Sequence, residues 1–288
     1  MQKKALAIHD ISCVGRCSLT VVLPVLSCAG IETSVLPTAL LSTHTGEFEG
    51  FTYRDLSHDM QGQLAHWQRL NLRFDALYSG FLGSFKQIAL IERLFLNYKT
   101  PETLIMVDPA MADHGRLYKT YTDEMAQGTK RLCAMADIIV PNLTEAAILL
   151  DEPYRGNYSQ EEIEGMLRRL SALGPAQVVL TGVALKENHL GCAAYDSATD
   201  AISYAFSPLM PGTFYGTGDV FAAALLAALL TGKPLERAAE IANQFVHDAI
   251  GFTFENKTPL RFGVAFEQAL PAFIQALGLN QGQGQSSS

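Results

Sequence analysis

Short apolar runs alternate with amphipathic stretches along most of this chain. Residues 4–8, 33–36, 76–79, 103–107, 137–140 and 177–180 are apolar runs of strand length, each halted by proline, glycine or a polar residue. They predict buried strands, the second ended by Pro37. Residues 191–195 and 202–206 predict an antiparallel pair. Between these runs the spacing turns helical. From Ser84, a natural N-cap, Ile88, Ile91, Leu94 and Phe95 fall on one face, and over residues 55–70 Leu56, Met60, Leu64 and Trp67 do the same. Further helices are expected over 18–29, with Pro24 inside, up to about 135, and over 144–150, 159–173, 235–250 and 264–277. Residues 110–118 read as a polar loop. The alternation predicts an α/β protein whose mainly parallel sheet carries helices on both faces. Ligands bind such sheets at the carboxyl ends of the strands. There the chain places Asp10, Ser12, Thr45, Gly80, Phe81, Asp108, Asn142 and Thr181.

One stretch departs from the amphipathic pattern. Gly216, Thr217, Gly218 and Asp219 lead into an alanine- and leucine-rich block, apolar on nearly every side, with no breaker before Gly232. It predicts a core helix closed by a glycine cap. Backbone N–H groups in its first turn lack internal acceptors and sit at the positive end of the helix dipole, so residues 216–219 form an anion site suited to phosphate. Asp219 in the same turn is placed to act as base toward an acceptor hydroxyl, and the dipole is expected to lower its pKa. Read plainly, the same residues are a helix capped over a glycine turn. The stretch is neither the G-x-x-x-x-G-K-[ST] loop, since Lys233 lies at the far end of the helix, nor G-x-G-x-x-G, since Phe221 stands at the third glycine.

Composition narrows the classes. The chain has 288 residues, 48% hydrophobic and 17% charged, with a net charge of −8. That suits one domain over residues 1–279, followed by a low-complexity tail over 280–288 expected to be disordered. The acidic balance argues against a nucleic-acid or anionic-membrane surface. The apolar run near the N-terminus is too short for a signal peptide, and no run reaches membrane-span length. Five scattered cysteines without a C-x-x-C pair fit free thiols in the cytoplasm. No H-E-x-x-H, G-x-S-x-G or spaced Cys/His cluster supports zinc hydrolysis or serine-triad chemistry.

The blocks around Ser12, Ser42–Gly46, Tyr78–Gly83, Val107–Asp113, Val140–Glu145 and Gly216–Asp219, taken in order, resemble the pyridoxal kinase branch of the ribokinase-like kinases over about residues 8–250. The resemblance implies a three-layer α/β/α ribokinase-like fold and ATP-dependent phosphorylation of the 5′-hydroxymethyl group of a B6 vitamer. It implies Asp219 as catalytic base, with Gly216, Thr217 and Gly218 as the anion hole. Ser12, Thr45 and Phe81 would contact the vitamer. Asp108, Asn142, Glu145 and Thr181 would serve ATP, Asp113 and Glu145 would serve Mg²⁺, and residues 110–118 would form a flap. A homodimer is also implied, and a requirement for a monovalent cation such as K⁺ stays open. Pyrimidine kinases of thiamine synthesis share the fold but resemble it with cysteine at the last position of the glycine motif, so Asp219 favours the pyridoxal side. Hydroxymethylpyrimidine, a sugar or nucleoside acceptor, or a non-catalytic pyridoxal phosphate binder remain as alternatives. Gly182 stands where some members carry a lysine, for which Lys186 or Arg116 are the candidate replacements. Apart from the resemblance, Asn142 and Glu145 fit a helix capping box, Asp113 a solvated loop charge, and Ser12 and Thr45 turn residues.

Overall fold

The computed structural model describes residues 2–279, so the tail expectation lies outside the described residues. The chain begins with β1 (Lys4–Val14), α1 (Leu19–Cys28), β2 (Glu32–Thr43), β3 (Tyr53–Asp55), α2 (Ser57–Arg69), β4 (Ala76–Ser79) and α3 (Phe85–Tyr98). It continues through β5 (Leu104–Val107), a hairpin of β6 (Ala112–Asp113) and β7 (Arg116–Leu117), α4 (Asp123–Met135), β8 (Ile138–Ile139), α5 (Leu143–Leu149) and α6 (Gln160–Ser171). It then forms β9 (Gln177–Val183), β10 (His189–Asp196), β11 (Ala201–Pro208), α7 (Thr217–Leu230), α8 (Leu235–Glu255) and α9 (Phe266–Ala276).

The strands form one sheet in the order β11-β10-β9-β8-β5-β4-β1-β2-β3. The six from β9 to β2 are parallel; at the margins β3 and β10 run against them, and β11, antiparallel to β10, runs with them again. Alternation along each strand splits the core in two. Ala5, Ala7, Ala76, Tyr78, Met106, Ile138 and Val179 pack with α1, α7, α8 and α9. Leu6, Ile8, Leu77, Ile105, Val107, Ile139, Val178 and Leu180 pack on the other face with α2 to α6. This is the three-layer arrangement that period-two alternation between two apolar faces demands. Every residue of α7 from Val220 to Ala228 is buried, as its uniform apolar pattern requires. Gly232 follows that helix at φ 86°, the left-handed cap position.

Two expectations needed correction. Strand β2 does not end at Pro37: it runs beside β1 to Thr43, with Pro37 opposite His9. Residues 110–118 are not a bare loop. Ala112 pairs with Leu117 and Asp113 with Arg116, and His114 and Gly115, at φ 48° and 77°, make the turn between them. Positive φ at both central residues is what a tight hairpin needs. Strand order reverses between β1 and β4, the kind of switch point near which sheets of this class bind ligands.

Candidate functional site

A cavity of 460 Å³ lies beyond the carboxyl ends of β5, β8 and β9 and is closed on one side by the start of α7. Its lining brings together Asp108, Asp113, Asn142, Glu145, Thr181 and all four residues from Gly216 to Asp219. Among the described residues, no lysine or arginine side chain lines it. Lys186 and Arg116, the candidates for the missing lysine, are exposed and stand elsewhere. Gly182 does line it, at φ 74°, a conformation that a lysine would adopt only under strain.

The glycine turn is shaped by close approach. Gly216 caps α7 in the left-handed region (φ 73°, ψ 2°), and a Cβ there would stand 2.0 Å from the Arg16 carbonyl oxygen. Glycine is therefore required on both counts. The first amide to find an acceptor within the turn is Val220 N–H, 3.0 Å from Gly216 O. The amides of Thr217, Gly218 and Asp219 are left for a ligand in the cavity.

Asp219 is recessed in this turn, and the Ser18 amide faces its carboxylate and favours the charged form. Burial raises its pKa from the ordinary carboxylate value to about 7, with the nearby charge of Asp10 adding in the same direction. This overturns the expectation of a lowered value. A helix dipole is worth about 0.3–1 kcal/mol, less than the desolvation of a carboxylate recessed in protein.

Across the cavity the capping box forms as the sequence suggested. Asn142 Oδ1 accepts from Thr144 N–H (2.8 Å) and Glu145 N–H (3.0 Å), and Glu145 Oε2 accepts from Asn142 N–H (2.9 Å). The other oxygen, Oε1, accepts from Met111 N–H at 3.1 Å and Ala112 N–H at 3.4 Å. Asn142 Nδ2 donates to Ala112 O at 2.9 Å, and Gly115 N–H donates to Thr144 Oγ1 at 3.0 Å. Together these bonds tie the β6–β7 hairpin to the start of α5. Glu145 is only 2% exposed, and burial and the charge of Asp108 hold its pKa well above normal. Asp108 is raised too, by burial and then by Asp219. Asp113 is exposed on the hairpin beside His114.

Ser12, Thr45 and Phe81 do not line this cavity. Ser12 is buried and donates to Asp10 Oδ2 at 3.1 Å. Thr45 is half-buried beside His44, whose ring stacks on Tyr215 of the cavity wall with centroids 4.9 Å apart. Phe81 packs toward Tyr121, centroids 6.3 Å apart. Sequence reasoning missed the far wall: Ser207, residues 208–210 and 212–215, and Asn243, Val246, His247 and Ile250 from one face of α8. Polar Asn243 and His247 within an apolar helical stripe were the available signal.

Among the described residues no cluster of three or more His, Cys, Asp or Glu side chains is arranged to hold a metal ion, and no helix is long and apolar enough to cross a membrane. The donor set does fit a divalent cation carried in by phosphates. Such an ion takes one or two carboxylates and keeps several waters, and Asp108, Glu145 and Asp113 supply carboxylate charge where no basic side chain balances it.

A family model described as phosphomethylpyrimidine kinase matches residues 27–261. The chain belongs to this family. Within it, the chain is 30% identical over 253 residues to a pyridoxine/pyridoxal/pyridoxamine kinase of Bordetella avium, an alignment covering 83% of this chain and 81% of that one. It is similar to a crystal structure of pyridoxal kinase from Lactobacillus plantarum, with TM-score 0.89, 34% identity and coverage of 99% and 100%. It is also similar to a Bacteroides thetaiotaomicron protein provisionally assigned as a phosphomethylpyrimidine kinase and solved with pyridoxal. There the TM-score is 0.91, with 38% identity and coverage of 95% and 96%. This phosphomethylpyrimidine kinase family member is thus an enzyme of the pyridoxal kinase type, a phosphotransferase with an alcohol acceptor.

Proposed function

We propose that the enzyme transfers the γ-phosphoryl group of ATP to the 5′-hydroxymethyl group of a B6 vitamer. The observation that carries this reading is the turn at residues 216–219. Free amides and a recessed carboxylate meet there in one wall of the cavity. Asp219 is the base in this reading. With a pKa of about 7 it is ionised in a large fraction of molecules near neutrality and basic enough to take the hydroxyl proton. The acceptor O–H bond breaks toward Asp219, the acceptor oxygen bonds phosphorus, and the bond from phosphorus to the β-phosphate oxygen breaks to leave ADP. The amides of residues 217–219 hold the equatorial oxygens of the phosphoryl group, and positioning of this kind supplies most of the catalysis in a loose transition state.

Asp108, with Asp113 and Glu145 nearby, would hold Mg²⁺ brought by ATP, and that ion supplies charge neutralisation of the phosphates. Glu145, with both oxygens engaged by main-chain donors, acts chiefly by fixing the hairpin against α5. Thr181 and Asn142 contribute polar contacts along the nucleotide path. In this reading Ser12, Thr45 and Phe81 serve the acceptor from outside the cavity that takes the nucleotide. Hydroxymethylpyrimidine is the second reading, favoured by the family description. The carboxylate at position 219 supports the vitamer reading over it.

ATP consumption measured with pyridoxal, pyridoxine, pyridoxamine and hydroxymethylpyrimidine tests the assignment. Turnover should be highest with a B6 vitamer, and the reading fails if none of the three supports it. Asp219→Ala should lower kcat by about 10²–10⁴-fold, the range for losing a general base, while ATP still binds to the main-chain amides. An active variant removes Asp219 from the base role.

A further inference from the structure

We propose that Asp10, acting through Ser18, is a positioning residue that fixes the carboxylate of Asp219. This rests on the reading of Asp219 as the base. Asp10 lies in the second half of β1, and the pairing register with β2 shifts around it. His9 stands opposite Pro37 and Ile11 opposite Leu40, so Thr38 and Ala39 together face Asp10. Irregularities of this kind re-aim side chains next to active sites. Asp10 is only 4% exposed, and no cation pairs with it among the described residues. Its oxygens instead accept from two hydroxyls, Ser18 Oγ at 2.6 Å and Ser12 Oγ at 3.1 Å. A buried carboxylate without a cation is costly to keep.

Ser18 carries two further signs of constraint. It occupies the N-cap of α1, where a serine hydroxyl ordinarily accepts from the helix amides, yet it makes no side-chain cap bond. Its hydroxyl is turned to Asp10 instead. Its backbone sits at φ 53°, ψ −131°, a strained conformation for a residue with a Cβ. The conformation donates Oγ–H to Asp10 of β1 and leaves the residue's amide facing the carboxylate of Asp219 in α7. The neighbouring Arg16 carbonyl is packed against Gly216, so the 16–18 segment and the anion turn are held in contact. Holding the Ser18 hydroxyl at Asp10 therefore fixes the 16–18 segment against the turn that carries the base. A loosened base loses attack geometry, and misplacement by about 1 Å is worth on the order of 10²-fold in rate.

Both Asp10→Ala and Ser18→Ala should lower kcat by about 10- to 100-fold, while the dissociation constant for ATP, measured at equilibrium, stays within about threefold. Asp10→Asn keeps an oxygen for Ser18 and should recover most of kcat. It should also move the acidic limb of the pH–rate profile to lower pH, because one negative neighbour of Asp219 is gone. The other groups facing Asp219, namely Cys17, Tyr78, Asp108 and Tyr118, are unchanged in that variant, as are His44 and Tyr53 facing Asp10. If Asp10→Ala does not fold, Ser18→Ala, which leaves the carboxylate in place, decides. Wild-type kcat in either alanine variant overturns the inference. So does an equal loss in Asp10→Ala and Asp10→Asn accompanied by loss of ATP binding, which marks a structural role only. Asp219→Ala assayed alongside separates the layers. If it stays active, both readings fall; if it is inactive beside a fully active Asp10→Ala, only the present inference falls.

Discussion

At the scale of the residue, Asp219 ties activity and stability to pH in opposite directions. Its pKa is near 7 in the fold and near 3.8 in the unfolded chain. The ionised base is needed for proton removal, so kcat/KM should rise with pH through about 7 and level off above it. Stability runs the other way. The folded state binds this proton more tightly than the unfolded chain does, so its contribution is complete below about pH 4 and is lost as pH rises through 7. Asp219→Asn should therefore be more stable than wild type by about 2 kcal/mol above pH 8, discounted for the open side of the cavity, with the gain vanishing toward pH 4. Chemical denaturation at the two pH values checks this. An equal or lower stability at pH 8 would contradict a desolvated carboxylate. The direction of this shift was hidden in the sequence. A lone aspartate at a helix start announces a dipole, whereas burial by β1, β4 and the 16–18 loop depends on contacts between distant segments.

At the scale of the element, most strands and helices were legible because each answers to one period. Ala76 to Ser79 and the face Ile88, Ile91, Leu94 and Phe95 come out as read. Departures arise where pairing rather than pattern decides. Strand β2 continues past Pro37 because β1 is beside it, and the β6–β7 hairpin exists because α5 holds it. The glycine motif was legible as an anion turn, yet the different tasks of its two glycines were not. Gly216 needs both positive φ and the absence of a Cβ, whereas a Cβ on Gly218 would meet no atom within 4 Å. Gly216→Ala should thus destabilise the fold by about 1–3 kcal/mol and impair turnover together. Gly218→Ala, in the first turn of α7 where alanine is a good helix former, should leave the melting temperature unchanged or raised while lowering kcat/KM for ATP, since the added methyl stands in the cavity where phosphate would sit. Thermal melts with steady-state kinetics on both variants separate the two roles. Equal melting temperatures for the pair would refute the assignment of Gly216 to the close approach.

At the scale of the whole molecule, charge balance sets what the cavity can accept. The chain carries a net charge of −8, and the cavity collects Asp108, Asp113, Glu145 and Asp219 without a lysine or arginine among its described lining. A free nucleotide triphosphate entering there meets main-chain amides on one wall and carboxylates on the other. Amides alone favour it by dipoles, and the carboxylates oppose it, so affinity should depend on a divalent cation that satisfies both. A ligand that binds only the folded state at a hundred times its dissociation constant stabilises by about 2.7 kcal/mol, which in a domain of this size raises the melting temperature by roughly 4–5 °C. ATP with Mg²⁺ should produce a shift of this order. The same ATP in chelator should produce little or none, and raising the salt should weaken the residual effect further by screening. A shift as large in chelator as in Mg²⁺ would mean that basic groups from outside this cavity neutralise the phosphates, and the arrangement of carboxylates around it would then need another explanation.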